Sequence, residues 1–583
     1  MPTPRAPIRI ASCSGFYGDR LAAARELVEG GPLDVLTGDW LAELTMLLLV
    51  RERAKRPEAG YARTFLAQLE QVLGTCVAQG TRIVSNAGGV NPHGLADAVR
   101  ALAEKVGVQV RVAVVTGDAV AERVGDWLPE LRHLDTGRPL QPSDGMPIAA
   151  NVYLGARGIA EALARGADIV LTGRTTDAAA IVGPAAWWHG WAPDAWDALA
   201  GALVAGHVVE CGTQATGGNY SFFEEVPGLE HPGFPVVEIA HDGSAVVTKH
   251  PGTGGLVDVG TVTAQLLYEI GGPAYLSPDV VARFDTVQVA QEAPDRVRVH
   301  GVRGEPPPST LKLGLLLASG FRNDVTFLLG GDRVEAKAAL LDAAFWGALG
   351  GKEAFAEART DVIRGDHPDA PAPLRLSRVI MSARDPDGDR LGKPFGAAAV
   401  ELALASVPGL TLDGLPGAPR PTGVFWPALV DRDRVEVELH LDGERTVVSH
   451  PPLTAGGPPP APPAVPEAPA PTGRTRRLPL GTLAGARSGD KAGNANVGFW
   501  VRQPGHVAWL LSQITEANVR AWLGGFEGPV RIHPLPNLRA VNVELVGWLG
   551  AGVLANLAPD PQAKCLAEAL RTVEVDIDEA LLS

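Results

Sequence analysis

Lysine is scarce in this chain of 583 residues: only nine of its 51 basic residues are lysine. The bias is mostly compositional, but it marks the few places where a compact ammonium is used instead of a planar guanidinium. Cysteine is scarcer. Cys13, Cys76, Cys211 and Cys565 are all there are, and no two lie close together. With no CxxC pair and no Cys/His ligand spacing, a zinc site or a disulfide scaffold is not expected. Charged residues make up only 20%, which excludes a disordered polyelectrolyte and a coiled coil. The 69 glycines and 49 prolines follow no G-X-Y period, which excludes collagen. Long apolar runs are also missing. Met46–Val50 and Leu313–Ala318 fall far short of the roughly 20 residues of a membrane helix. The start, MPTPRAPIRIAS, lacks a charged segment followed by an apolar one, so no signal peptide and a cytoplasmic location are expected. A net charge of −15 repels phosphate backbones and argues against a nucleic-acid partner.

What is present begins with a 46% apolar share, enough for a sizeable core. Pro451–Thr472 holds ten prolines in 22 residues and reads as an extended spacer. It predicts a large domain over 1–450, a Pro/Ala-rich linker over 451–473 and a small domain over 474–583. Within the large domain, short apolar strands alternate with helical segments over 1–200, which predicts α/β structure with a mostly parallel sheet and flanking helices. Over 201–450 short β-rich runs separated by Gly and Pro predict an α+β region. The small domain reads as an α+β sandwich of ferredoxin-like type.

The strand ends carry the functional signal. Each is followed by small, polar or acidic residues: Ser12–Gly15, Thr37–Asp39, Ser85–Gly89 with Asn91, Thr116–Asp118 and Thr172–Asp177. Ligands of open α/β sheets bind beyond the carboxyl ends of the strands, so Ser14, Asn86, Gly88, Asn91 and Thr172 are candidate substrate contacts. Ordinary loop chemistry favours the same residue types. In the TGRTTD run, Arg174 suits a carboxylate or phosphate, and Asp177 a helix cap or a proton acceptor. Asp39 and Glu43 are spaced to share one face of a helix, where two acids can separate in pKa. The alternative for this pair is a cap and a first-turn acid. Thr213 and Asn219 lie in a polar, Gly-rich loop after Cys211, itself expected to be a buried, inert thiol with His207 four residues before it. Lys249-His250-Pro-Gly-Thr-Gly-Gly255 is loosely like a phosphate loop but lacks the Walker spacing. In the small domain Ser488, Asp490, Lys491, Asn494 and Asn496 crowd nine residues, more polar groups than a turn needs, and point to a site or a domain interface.

IASCSGFYGDR, TGDWLAELTM, IVSNAGGVNP, LTGRTTDAA, ECGTQATGGN and KHPGTGGLV together resemble the AtuA family, named for acyclic terpene utilisation. SGDKAGNANVGFW and LPNLRAVN resemble the family's C-terminal ferredoxin-like domain, with Ala492 a small departure from the usual run. The resemblance implies a role in acyclic terpenoid or branched acyl-CoA breakdown and supplies no catalytic residues. The expectation is an enzyme acting on an acyl-CoA thioester by hydration, lyase chemistry or hydrolysis, without a metal or resident cofactor. Asp39, Glu43 or Asp177 would serve as base and Arg174 as anion anchor. Asn86, Asn91 and Asn219 would orient the substrate, and Lys491 would reach in from the small domain. Thr172, Thr213, Ser488, Asp490 and Asn494 complete the candidate set. The rival is a non-catalytic binding or assembly component of an acyl-CoA carboxylase pathway. Trp187, Trp188, Trp191 and Trp196 suggest either an apolar contact surface in a homo-oligomer, which is the expected state, or simply core.

Overall fold

The computed structural model describes residues 5–453 and 473–582. Most of the expected linker lies outside them. The largest element is an eleven-stranded sheet. Its centre is five parallel strands in the order Ile8–Ser12, Val35–Gly38, Arg82–Ser85, Ile169–Thr172 and Val112–Thr116. These are near-continuous apolar runs buried on both faces, as parallel strands between helical layers must be.

The sheet is mixed rather than mostly parallel. Pro235–Ile239, Ala245–Lys249, Arg296–His300 and Gln288–Ala293 extend it antiparallel beyond Ile8–Ser12. Val437–Leu441 and Glu444–Val448 do the same beyond Val112–Thr116. The cause is connection length. The central strands are linked through helices, whereas the added ones come as hairpins, whose tight turns permit only antiparallel pairing. Strands from 201–450 therefore finish the sheet that the first 200 residues begin.

A second, six-stranded sheet is built around the 21-residue strand Thr310–Gly330. Its first half pairs with Met146–Val152 and Arg420–Asp431, its second half mainly with Leu376–Asp385. Helices Val334–Ala348 and Lys393–Glu401 cover the second half through Phe345, Trp346 and Phe395. The first of these helices stops at Ala348, and Glu357–Ile363 is a strand.

The C-terminal unit has a four-stranded antiparallel sheet, in the order Ala484–Lys491, Asn494–Val501, Ala540–Leu545 and Val530–Leu535. The helical stretch over 507–522 is split into two helices, Val507–Gln513 and Glu516–Trp522. Thr515 breaks it by capping the second, accepting from the Asn518 N–H. Among the described residues no helix is long and apolar enough to cross a membrane. Trp187, Trp188, Trp191 and Trp196 pack half-buried against the main core.

The two units meet through polar contacts of an unusual kind. Asn496 donates to the Leu267 carbonyl (2.7 Å) and accepts from the Glu269 N–H (2.8 Å). Asn542 donates to the carbonyls of Ile270 (3.1 Å) and Gly271 (2.7 Å). Gly489 and Gly498 let the sheet approach closely: a Cβ there would lie 2.7 Å from Tyr268 and 2.4 Å from Leu267. The polar cluster of the small domain thus serves largely to dock that domain.

Candidate active site

The loop after the parallel strand Ile169–Thr172 brings Thr176 and Asp177 to a cavity of about 390 Å³ that the small domain helps to close. Its apolar lining includes Leu134, Leu276, Pro278, Leu311, Pro427 and Leu429, and its polar lining includes Asp135, Tyr153, Asp177, Lys312, Lys491 and Asn494. Lys491 comes from the small domain, so that residue does reach the large-domain site.

Arg174 organises the region. It is 5% exposed, donates to the Leu41 carbonyl (3.0 Å) and to Asp177 (3.1 Å), and stacks over the Tyr153 ring at 4.3 Å. Its backbone is fixed too, the N–H donating to Asp118 (2.9 Å), which also accepts from Asn151 (2.9 Å). Burial pushes the Asp118 carboxyl up to about 6. A Cβ on Gly173 would sit 2.5 Å from both Asp118 carboxyl oxygens, so this turn requires glycine. So enclosed, Arg174 holds the site's acids in place more than it could grip a ligand. The helix after it begins at Ala179 with no side-chain cap, so Asp177 is free of capping and lines the cavity.

Asp39 and Glu43 do not share a helix. Asp39 accepts from the Leu41 N–H (2.8 Å), which holds residues 39–41 out of helical geometry, and the helix Glu43–Lys55 starts later. Both carboxyls nonetheless act on Arg174. Their environments separate them. Burial and then Asp177 push Asp39 up to about 8, against Arg174 and a hydrogen bond from Asn86 (2.5 Å). For Glu43 burial acts upward, but Lys312 and Arg174 outweigh it and the carboxyl lies below its ordinary value. The Tyr153 hydroxyl donates to it at 3.4 Å.

Lys312 was not among the sequence candidates. It lines the cavity with its ammonium 4.6 Å from the Tyr153 ring centroid and 5.3 Å from that of Phe425. Burial lowers its pKa, aided by Arg174 and opposed by Glu43. Lys491 donates to the Glu269 carbonyl at 2.9 Å, and burial, then Lys312, lowers its pKa. Behind this wall, His207 and Glu210 lie 3.5 Å apart and fully enclosed. Burial, then Lys491, brings His207 down to about 4, and burial raises Glu210 well above the usual carboxyl range. His207 lies in the apolar helix Trp196–Val209 and Glu210 directly follows it; the sequence singles out the histidine only as a neighbour of Cys211 and the acid not at all. Lys312 had a signal: a rare lysine interrupting an apolar strand.

The remaining candidates fall into two groups. Asn494 lines the cavity and donates to Asp135 (3.0 Å). Asn86 clamps Asp39 and accepts from the Trp40 N–H, so it positions an acid rather than a substrate. Asp490 faces Lys564 at 3.2 Å beside the cavity wall. The others hold loops. The Ser14 hydroxyl donates to the Phe16 carbonyl, and Ser488 bridges Ala563 and Ala567. Asn91 caps the helix Pro92–Val106 through the Gly94 N–H. Gly88 lets its chain approach Thr172, whose carbonyl would be 2.4 Å from a Cβ there. The Thr213 carbonyl accepts from Thr216 and Gly218 within its own turn. Asn219 is exposed at a left-handed φ of 58°. The Cys211 thiol is raised well above its usual range by burial, then by Glu210. Lys249 is satisfied by Asp295 (3.0 Å) and the Thr253 carbonyl (2.8 Å), leaving the phosphate-like loop without a free ammonium. Among the described residues no three His, Cys, Asp or Glu side chains could hold a metal ion together.

Comparison with protein families places these features. The model of the acyclic terpene utilisation family protein AtuA matches residues 8–441, and that of the AtuA ferredoxin-like domain matches 478–576. No curated protein and no solved structure matches the chain.

Proposed function

The chain belongs to the AtuA family of acyclic terpene utilisation, and from that premise we propose that it is an enzyme transferring a proton next to the carbonyl of a branched, apolar acyl-CoA thioester. The observation that carries this reading is the cavity with its surroundings: an apolar lining that bears Asp177, Lys312 and Lys491, and next to it two acids in contrasting environments, Glu43 at the Tyr153 hydroxyl and Asp39 in the field of Arg174. Glu43, ionised between Lys312 and Arg174, is the base. Asp39, kept protonated at neutral pH by burial and by Asp177, is the acid reserve. Lys312 and Lys491 supply positive charge to a carbonyl oxygen as it gains electron density. Proton transfer at the carbon beside a thioester is shared by hydration–dehydration and carbon–carbon lyase routes for such chains, whereas hydrolysis goes by attack on the carbonyl and does not need it. Arg174 is a positioning residue.

The test is a mass-spectrometric screen of branched and straight CoA esters with the full-length protein in deuterated water. Deuterium incorporation or product is expected with wild type and is expected to fall at least a hundredfold in Glu43→Gln. Binding without any exchange or product would favour the non-catalytic rival.

A further inference from the structure

Lys312 differs from the other lysines around the site. Lys249, Lys491 and Lys564 each hold a carbonyl or a carboxyl. Among the described residues the Lys312 ammonium makes no hydrogen bond or close ion pair; it rests on the faces of Tyr153 and Phe425, with the charge of Glu43 nearby. Its backbone is rigid: Lys312 pairs with Leu429 in the long strand, and its carbonyl accepts from the Tyr153 N–H at 2.9 Å. A fixed stem carries an uncommitted amine into a cavity, with a buried guanidinium, Arg174, close by. An amine so enclosed, beside another cation, is the arrangement in which lysine becomes a nucleophile.

We propose that Lys312 is an imine-forming lysine and that the cavity accepts an acyl group bearing a ketone or aldehyde carbonyl in addition to its thioester. This rests on the reading of the cavity as the substrate site. The Lys312 ammonium first gives one proton to the Asp177 carboxylate; the neutral amine attacks the carbonyl carbon, an N–C bond forms and the C=O π pair moves to oxygen, which takes that proton back from Asp177. The carbinolamine then loses water, leaving a protonated imine on Lys312. That cation is the electron sink for the next step. The adjacent C–H proton goes to Glu43, and its bonding pair forms the enamine C=C as the C=N pair returns to nitrogen. Reprotonation and attack by water release the carbonyl compound and free the amine. Burial and Arg174 lower the Lys312 pKa, against Glu43, Asp177 and Asp135, which eases loss of the proton.

The test is reductive trapping. Full-length protein is incubated with acetoacetyl-CoA or with methyl hexyl ketone, treated with sodium borohydride and weighed intact by mass spectrometry. The expected product carries the probe less one oxygen atom, mapped by proteolysis to the peptide containing Lys312, and is absent from Lys312→Arg and Lys312→Met. The wild-type map decides even if a variant folds poorly. An unmodified protein, or an adduct elsewhere with Lys312 free, overturns the proposal. Exchange of a CoA ester without any trapped adduct defeats the imine and leaves the proton-transfer reading standing. Trapping of the simple ketone with no CoA ester recognised keeps the imine and defeats the thioester.

Discussion

Substituting Asp39 by Asn should stabilise the protein, and more so as the pH rises. The carboxyl accepts from the Leu41 N–H and from Asn86 through one oxygen, an arrangement an amide oxygen can reproduce. What changes is the charge. Folding moves the Asp39 pKa from 3.8 up to about 8, so the contribution of this group is fully present below about pH 4 and is lost as the pH rises towards 8. Between about pH 5 and 8 the lost stability would be about 4 kcal/mol at ~1.4 kcal/mol per pH unit. Asp177 shares the titration, which reduces the working figure to about 2 kcal/mol. Asn cannot ionise and escapes this loss. The assay is thermal unfolding of wild type and Asp39→Asn at about pH 5 and pH 8. The advantage of the variant should be small at the lower pH and grow at the higher. An equal advantage at both, or a variant less stable at the higher pH, would refute the placement of Asp39 among opposing charges.

Arg174→Ala leaves three acids and a phenol without their cation and should cost about 3 kcal/mol, seen as a lower melting temperature. Ala492 turns the hairpin at a left-handed φ of 55°. Ala492→Gly should therefore stabilise by about 1 kcal/mol in the same assay. Iodoacetamide at neutral pH should label the exposed Cys565 and leave Cys13, Cys76 and Cys211, whose thiols burial raises, counted by intact mass. Asn542→Ala removes both donors to Ile270 and Gly271 and should raise amide exchange in 266–272 and around Lys491 several-fold.

Legibility followed locality. The parallel centre was readable because each strand is a continuous apolar run followed by its own helix. The hairpins at 235–300 and 437–448 were visible as strands, but their place at the two edges of the same sheet depends on pairing partners hundreds of residues away. The TGRTTD loop announced Arg174 and Asp177, yet nothing local says that the guanidinium turns inward beneath Tyr153. Asp39 and Glu43 were found by spacing, and the reason offered, a shared helix face, was wrong because the Asp39–Leu41 bond delays the helix. Lys312 was hidden by its setting: it lies in the long strand beside an apolar run that patterning assigns to core. Only the shortage of lysine, taken one residue at a time, would have raised it.

The contacts that join the two units fall unevenly on them. Asn496, Asn542 and Lys491 recognise only main-chain groups of Leu267, Glu269, Ile270 and Gly271. A peptide bond offers the same N–H and C=O whatever side chain it carries. These hydrogen bonds therefore tolerate other side chains at 270 and 271, whereas Leu267, Tyr268 and Glu269 also meet the small domain through their side chains, at Gly498, Gly489 and Lys564. Two lineages of such a chain could diverge at Ile270 and Gly271 and still close the same cavity, provided the asparagines and the Lys564–Glu269 pair stay.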